Sequence, residues 1–195
     1  MENNFQSRLC IEISSVTHAA GREIAQRLFV TDLYAYVELA GRQAIYLPEK
    51  NAQYLIDTAK GQLQKIDLSA QAVQLQKVRQ LIGEVAVEEN AGEKPGHRRL
   101  HLANVNRSVV SFDMEAETAE VEGLEQTAFG KFEEFQAPLR PVSIPLKANE
   151  VVFSMKSALI LGGQAQESSG NILEVKKVEN AQQFDGYLRF SIVNG

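Results

Sequence analysis

Asp113, Glu115 and Glu117 recur at every second position. Side chains alternate along an extended strand, so these three carboxylates share one strand face. A row of this kind can hold Ca²⁺ or Mg²⁺, or set up an acid–base pair. Glu120, Glu122 and Glu125 follow closely. The same alternation also describes a solvated sheet face, with Met114, Ala116 and Thr118 turned inward. That plainer reading is the expectation.

The remaining polar candidates are weaker. His97 and His101 stand four apart, a spacing used by helical metal pairs. Pro95 and Gly96 oppose a helix there, Arg98 and Arg99 repel a cation, and no HExxH pattern exists. Two surface histidines and no metal are expected. Cys10 is the only cysteine, which excludes an internal disulfide. Within Leu9-Cys10-Ile11 it reads as a half-buried structural thiol, with His18 the only histidine near it in sequence. Gly162-Gly163-Gln164 lacks the Lys-Ser/Thr of a phosphate loop and reads as a hairpin. Asn106-Arg107-Ser108 matches a glycosylation sequon, a pattern short enough to recur by chance. No GxSxG occurs and no triad can be assigned. The residues predict a binding protein, with neither enzymatic activity nor a cofactor.

One apolar feature suggests what it binds. Leu124, Ala128, Phe132 and Phe135 fall at helical spacing, and Phe129 lies off that stripe. Phe129, Phe132 and Phe135 can pack onto a sheet. They can also line a lipophilic cavity as a helix lidding a half-barrel, and they are the candidate ligand-binding residues.

The bulk properties narrow the class further. The 195 residues carry a net charge of −5. An acidic chain does not suit counterion displacement from nucleic acid. The single basic cluster, His97-Arg98-Arg99 with Arg107 downstream, is expected in a solvated loop. No apolar run reaches the ~18 residues of a membrane helix. The first ten residues have neither a basic nor an apolar leader region. The chain is therefore expected in the cytoplasm if Met1 is its true start, and in the periplasm if a leader has been removed. Oligomeric state is open.

Most of the chain must position these groups as strands. Leu9, Ile11 and Ile13 alternate with polar residues, and Ile24–Val30, Leu33–Leu39, Ala44–Leu47, Ala52–Asp57 and Leu63–Asp67 follow between turn signals. Ser69 is a candidate N-cap for a helix whose stripe is Ala72, Leu75, Val78, Arg79 and Ile82, ending at Gly83. Glu88–Gly96 reads as a long hairpin or connecting loop within one domain. Val109–Met114 is a strand, Leu124–Phe135 a helix ended by Pro138 and Pro141. Val151–Leu161, Ile172–Val178 and Tyr187–Val193 are three closing strands. Strands and helices do not alternate, which excludes Rossmann and TIM architectures. A single α+β domain over 1–195 is expected, a large antiparallel sheet with helices against it.

The run VTDLYAYVELAGRQAIYLPEKNAQYLIDTAKGQLQKIDL, with RSVVSFDMEAETAEVEGLEQTAF, VVFSMKSALILGGQAQ and the closing RFSIV, resembles the lipoprotein-carrier (LolA/LolB-like) superfamily or bacterial domains related to it. The likeness spans most of residues 25–193 and lies in layout. It implies a large curved antiparallel sheet, an incomplete β-barrel, packed on two or more helices. It also implies a concave side that takes acyl chains of lipidated proteins, and a role in cell-envelope lipid handling. Two features depart from it: the chain shows no leader, and its clearest helix lies mid-chain. A hydrophobic ligand or a lipidated protein is the expected partner. The alternative is a protein-interaction or scaffold module with a fully packed core and no small-molecule ligand.

Overall fold

The structure is a computed structural model and describes residues 5–193. Strands β1 (Cys10–Ala19) and β2 (Arg22–Thr31) form a long hairpin, and β3 (Ala35–Leu39) and β4 (Arg42–Leu47) a shorter one. Their turns, Ala20-Gly21 and Ala40-Gly41, hold all four residues at positive φ. Two left-handed residues in succession match the twist of the flanking strands, and glycine takes the second place without strain. The meander continues through β5 (Ala52–Asp57) and β6 (Gln62–Lys65).

Helix α1 (Ser69–Ile82) has the expected limits, with a different cap. Ser69 is its first helical residue. The Asp67 carboxylate accepts both the Ser69 N–H, at 3.0 Å, and the Ser69 hydroxyl, at 2.6 Å. Gly83 ends the helix at φ +69°. The stripe of Ala72, Leu75, Val78, Arg79 and Ile82 is the shielded face, and Ile82 is fully buried.

Strands β7 (Val85–Ala91), β8 (His97–Asn104) and β9 (Val110–Glu120) follow. Of the two readings of Glu88–Gly96, hairpin and connecting loop, the structure shows the hairpin: strand as far as Ala91, with a tight turn after it. The turn hydrogen bond from Gly92 N–H to the His97 carbonyl, 2.9 Å, closes the hairpin. His97, Arg98 and Arg99 accordingly sit on a strand, not in a loop.

The expected helix at Leu124–Phe135 is broken in two. A 3₁₀ turn covers Leu124–Gln126, and α2 is Phe129–Gln136. Thr127 makes the break: its hydroxyl donates to the Leu124 carbonyl at 2.7 Å and accepts from Phe129 N–H at 3.2 Å. A side chain that serves both ends this way competes with a continuous helix. Strands β10 (Glu150–Leu161) and β11 (Gln164–Lys177) form the longest hairpin, turning at Gly162-Gly163 as expected. Ser168-Ser169-Gly170, a run of turn-forming residue types, lies within β11. Of the expected last strand, only β12 (Ser191–Val193) is extended, and Asp185–Arg189 is 3₁₀.

All twelve strands form one open sheet, ordered β12-β6-β5-β4-β3-β2-β1-β11-β10-β9-β8-β7. Every pairing is antiparallel except β12 with β6, which is parallel. The sheet is therefore mixed rather than wholly antiparallel, and it does not close.

Both helices lie on one side. Against β1–β4, Phe129 and Phe132 of α2 pack on Ile13, Leu28, Val30, Val37 and Tyr46. Against β8 and β9, Ile82 of α1 and Val142 pack on Leu100, Leu102, Phe112 and Met114. The opposite side of β2–β5 is covered by the C-terminal segment. Phe184 stacks on Tyr36, with ring centroids 3.8 Å apart, in a cluster with Phe29, Ile45 and Tyr54. Asp185 fastens that segment, accepting from Ser7 N–H at 2.8 Å, Ser7 hydroxyl at 2.6 Å and Tyr34 hydroxyl at 2.8 Å.

One buried ion pair pins the other end of the sheet. Glu150 is 1% exposed. It takes two hydrogen bonds from Arg98, at 2.7 and 2.6 Å, and one each from Thr118 hydroxyl and Lys147 N–H, both 2.7 Å. Burial alone would push this carboxyl up. The four donors outweigh it and hold the carboxyl down at about 2, against an ordinary 4.5.

Two outcomes follow from this packing. Phe132→Ala should cost about 3–5 kcal/mol of unfolding free energy in urea titrations, because a buried ring leaves a cavity. Glu150→Gln should cost roughly 3 kcal/mol at neutral pH, since it removes the buried counter-charge of Arg98 and leaves only the exposed Glu89 at 3.0 Å. Because the folded carboxyl is depressed, its contribution is complete above 4.5 and fades as pH falls toward about 2. Acid unfolding curves should therefore be flatter for the variant than for the parent across that window.

Candidate functional site

The two long hairpins reach beyond the helices. Across four strands, Ala19 pairs with Ser168, Ser168 with Ser157, and Ser157 with Met114. One step along, Leu159 lies opposite both Gln166 and Phe112. Facing pairs share a side, so Ala19, Ser157, Leu159, Gln166 and Ser168 all point to the helix side of the sheet. Here no helix covers them. The small side chains of Ala19, Ser157 and Ser168 leave the space above the sheet unfilled, while beside them Thr17 packs over Gly170. A Cβ added at Gly170 would come within 3.1 Å of Thr17 Cγ2.

The result is an open trough of about 1220 Å³. Phe112, Pro141 and Leu159 give it an apolar floor and one wall. Ser157 and Ser168 add hydroxyls, 2.7 Å apart and bonded to each other. Arg22, paired with Ala19, brings a cation to the same side, and Lys156 and Glu167 line the rim. The shared hydrogen bond uses one of the two hydroxyl donors and leaves the other free for a ligand oxygen, while Arg22 offers an anchor for a negative group.

The sequence-predicted residues lie elsewhere. Phe129 and Phe132 are each 6% exposed and sit between α2 and the sheet, where the Phe132 ring lies 5.6 Å from Tyr46. Phe135 is half-buried at the edge of that cluster, 4.9 Å from the same ring. None of the three lines the trough. Asp113, Glu115 and Glu117 project from the opposite side of β9, with Met114, Ala116 and Thr118 buried as the alternation requires. Cross-strand partners meet two of them: Asp113 is bonded to Arg107 and lies 3.7 Å from His101, and Glu117 is 3.1 Å from His97. The hydrogen bond from Arg107 holds the Asp113 carboxyl below its ordinary value. Among the described residues no group of three or more His, Cys, Asp or Glu is arranged to hold a metal ion.

Cys10 is fully buried, and burial foremost, with the Glu12 and Asp185 charges, pushes its thiol up to about 11. His18 lies eight residues along the same strand, some ~27 Å away. The two cannot act as a nucleophile–base pair. Arg98, Arg99 and Arg107 are each engaged by carboxylates within the chain. Asn106 accepts from Ser108 N–H and its hydroxyl, folding the sequon into a local turn. Among the described residues no helix is long and apolar enough to cross a membrane.

Sequence reasoning missed the trough. Its only trace was a cluster of small residues, Ser168-Ser169-Gly170, which reads as a turn until the hairpin register is known.

No protein-family model matches the chain, and no curated protein matches it. Among solved structures, PNGF-II aligns with a TM-score of 0.44 and 11% identity, covering 96% of this chain and 31% of that one. The chain thus spans about a third of that protein's length. A domain described as that of an outer membrane lipoprotein-sorting protein from Vibrio parahaemolyticus aligns with a TM-score of 0.34 and 8% identity, covering 93% of this chain and 92% of that one. It is a weak structural neighbour of the kind the sequence layout resembles.

Proposed function

We propose that this chain is a non-enzymatic binding protein for an elongated hydrophobic or lipid ligand carrying a negative group, which lies along the trough. The observation that carries the reading is the trough's make-up: an apolar floor at Phe112 and Leu159, a mutually hydrogen-bonded pair of hydroxyls at Ser157 and Ser168, and Arg22 on the same side. Its volume of about 1220 Å³ is enough for a long acyl chain. The ligand site proposed from the sequence, Phe129, Phe132 and Phe135, plays a supporting part in this reading. Those rings hold α2 against β1–β4, and so leave the neighbouring hairpins as the uncovered surface.

Titration with a fluorescent fatty acid tests the proposal. Saturable binding is expected, weakened about tenfold or more in Leu159→Arg, which places a charge on the apolar floor. Arg22→Glu should weaken the fatty acid more than the corresponding uncharged alcohol. Absence of saturation, or equal affinity in parent and Leu159→Arg, would overturn it.

A further inference from the structure

The sheet ends at β7, and among the described residues nothing pairs with the outer side of that strand. Six of its seven residues are exposed, including Val87 at 45%. The ladder to β8 runs without a bulge from Val85 opposite Asn104 to Ala91 opposite Arg98. β7 contains neither proline nor lysine. Long regular edges normally carry proline, bulges or charges to discourage added strands, and the charges of β7 are the carboxylates of Glu88 and Glu89. Among the described residues the opposite edge, β12, spans Ser191–Val193.

The direction of the free backbone groups can be read from the ladder. Val105 N–H donates to the Glu84 carbonyl and Gly92 N–H to the His97 carbonyl, both at 2.9 Å. In an antiparallel pair, hydrogen-bonded residues alternate with non-bonded ones. The even-numbered residues from Glu84 to Gly92 therefore turn their amides and carbonyls toward β8. Val85, Val87, Glu89 and Ala91 turn theirs outward, free to receive another strand.

The side chains specify that strand. On the helix side, Val85 and Val87 precede Glu89, which Arg98 already meets at 3.0 Å. On the other side, Glu84 and Glu88 flank Ala86, and neither has an ion-pair partner among the described residues. Four residues of extended chain separate them by about 13 Å. A second copy of β7 fits this edge poorly. Same-face antiparallel registers centred on Ala86, Glu88 or Glu89 each set carboxylates directly opposite one another. The register centred on Val87 sets Val85 against Glu89.

We infer that β7 is a docking edge for an extended peptide segment of another protein, added as a thirteenth strand. The segment would carry two basic residues four apart, facing Glu84 and Glu88, with apolar residues between them facing Val85 and Val87. Backbone hydrogen bonds supply the attraction, and the alternating side chains supply selection.

The test uses two synthetic peptides, TKVSVKV and its acidic counterpart TEVSVEV, with amide hydrogen exchange followed residue by residue. The basic peptide should bind saturably and slow exchange at Val85, Val87, Glu89 and Ala91. The acidic peptide should bind about tenfold more weakly or worse. Val87→Pro removes an outward N–H without touching the β8 ladder, so it should leave the melting curve near the parent's while abolishing binding. The double variant Glu84→Lys, Glu88→Lys should reverse the peptide preference. Equal binding of both peptides, binding retained in Val87→Pro, or self-association through β7 in place of peptide binding would each overturn the proposal. The trough plays no part here, so a Leu159→Arg chain should bind the basic peptide as the parent does.

Discussion

A sheet of twelve strands has two faces and two edges to shield from water, and this chain has only the 14 residues of α1 and the 8 of α2 as α-helix to do it. That shortage governs the molecule. Strands survive only where apolar side chains find a cover, because the hydrophobic contribution scales with area removed from water. The two helices protect separate stretches of one side. On the other, an irregular C-terminal segment substitutes for a helix by stacking Phe184 on Tyr36 and fastening Asp185 to Ser7 and Tyr34. Where no cover reaches, polar and small side chains are mixed with exposed apolar ones such as Val87, Ile160 and Leu173, and the uncovered places include the trough and the β7 edge.

The polar network around Glu150 belongs to the same scheme. A buried carboxylate is costly unless each lone pair is answered. Here Arg98, Thr118 and Lys147 answer it from two neighbouring strands and the preceding turn. The pair holds the chain leading into β10 against β8 and β9. The cation responsible belongs to His97-Arg98-Arg99, which looks in sequence like a solvent-facing basic patch. The Arg98 and Arg99 charges are spent inside the chain, on Glu150, Glu89 and Glu93, and His97 lies 3.1 Å from Glu117.

Local pattern was a sound guide wherever local forces decide. The alternation of Asp113, Glu115 and Glu117 with Met114, Ala116 and Thr118 places β9 and its buried side correctly. The α1 stripe and Gly83 mark that helix to the residue. Pattern failed where a partner strand overrides propensity. Glu88–Ala91 and Ser168–Gly170 are poor strand formers, yet the ladders to β8, β10 and β1 hold them extended. It failed also at Thr127, whose hydroxyl splits a segment with continuous helical spacing.

The amino-acid sequence by itself determined a strand-rich α+β domain, its first helix and the inward and outward faces of most strands, because those depend on side-chain period and on glycine geometry. It also determined that Phe129 and Phe132 would be apolar contacts. Which surface they would meet was a tertiary matter: they close over β1–β4 instead of lining the trough. The tertiary structure alone decided that the sheet stays open, that its last strand is parallel, that Arg98 meets Glu150 and that β7 is an edge. Those outcomes depend on pairings between residues far apart in the chain, and a pairing has no signature in either of its halves.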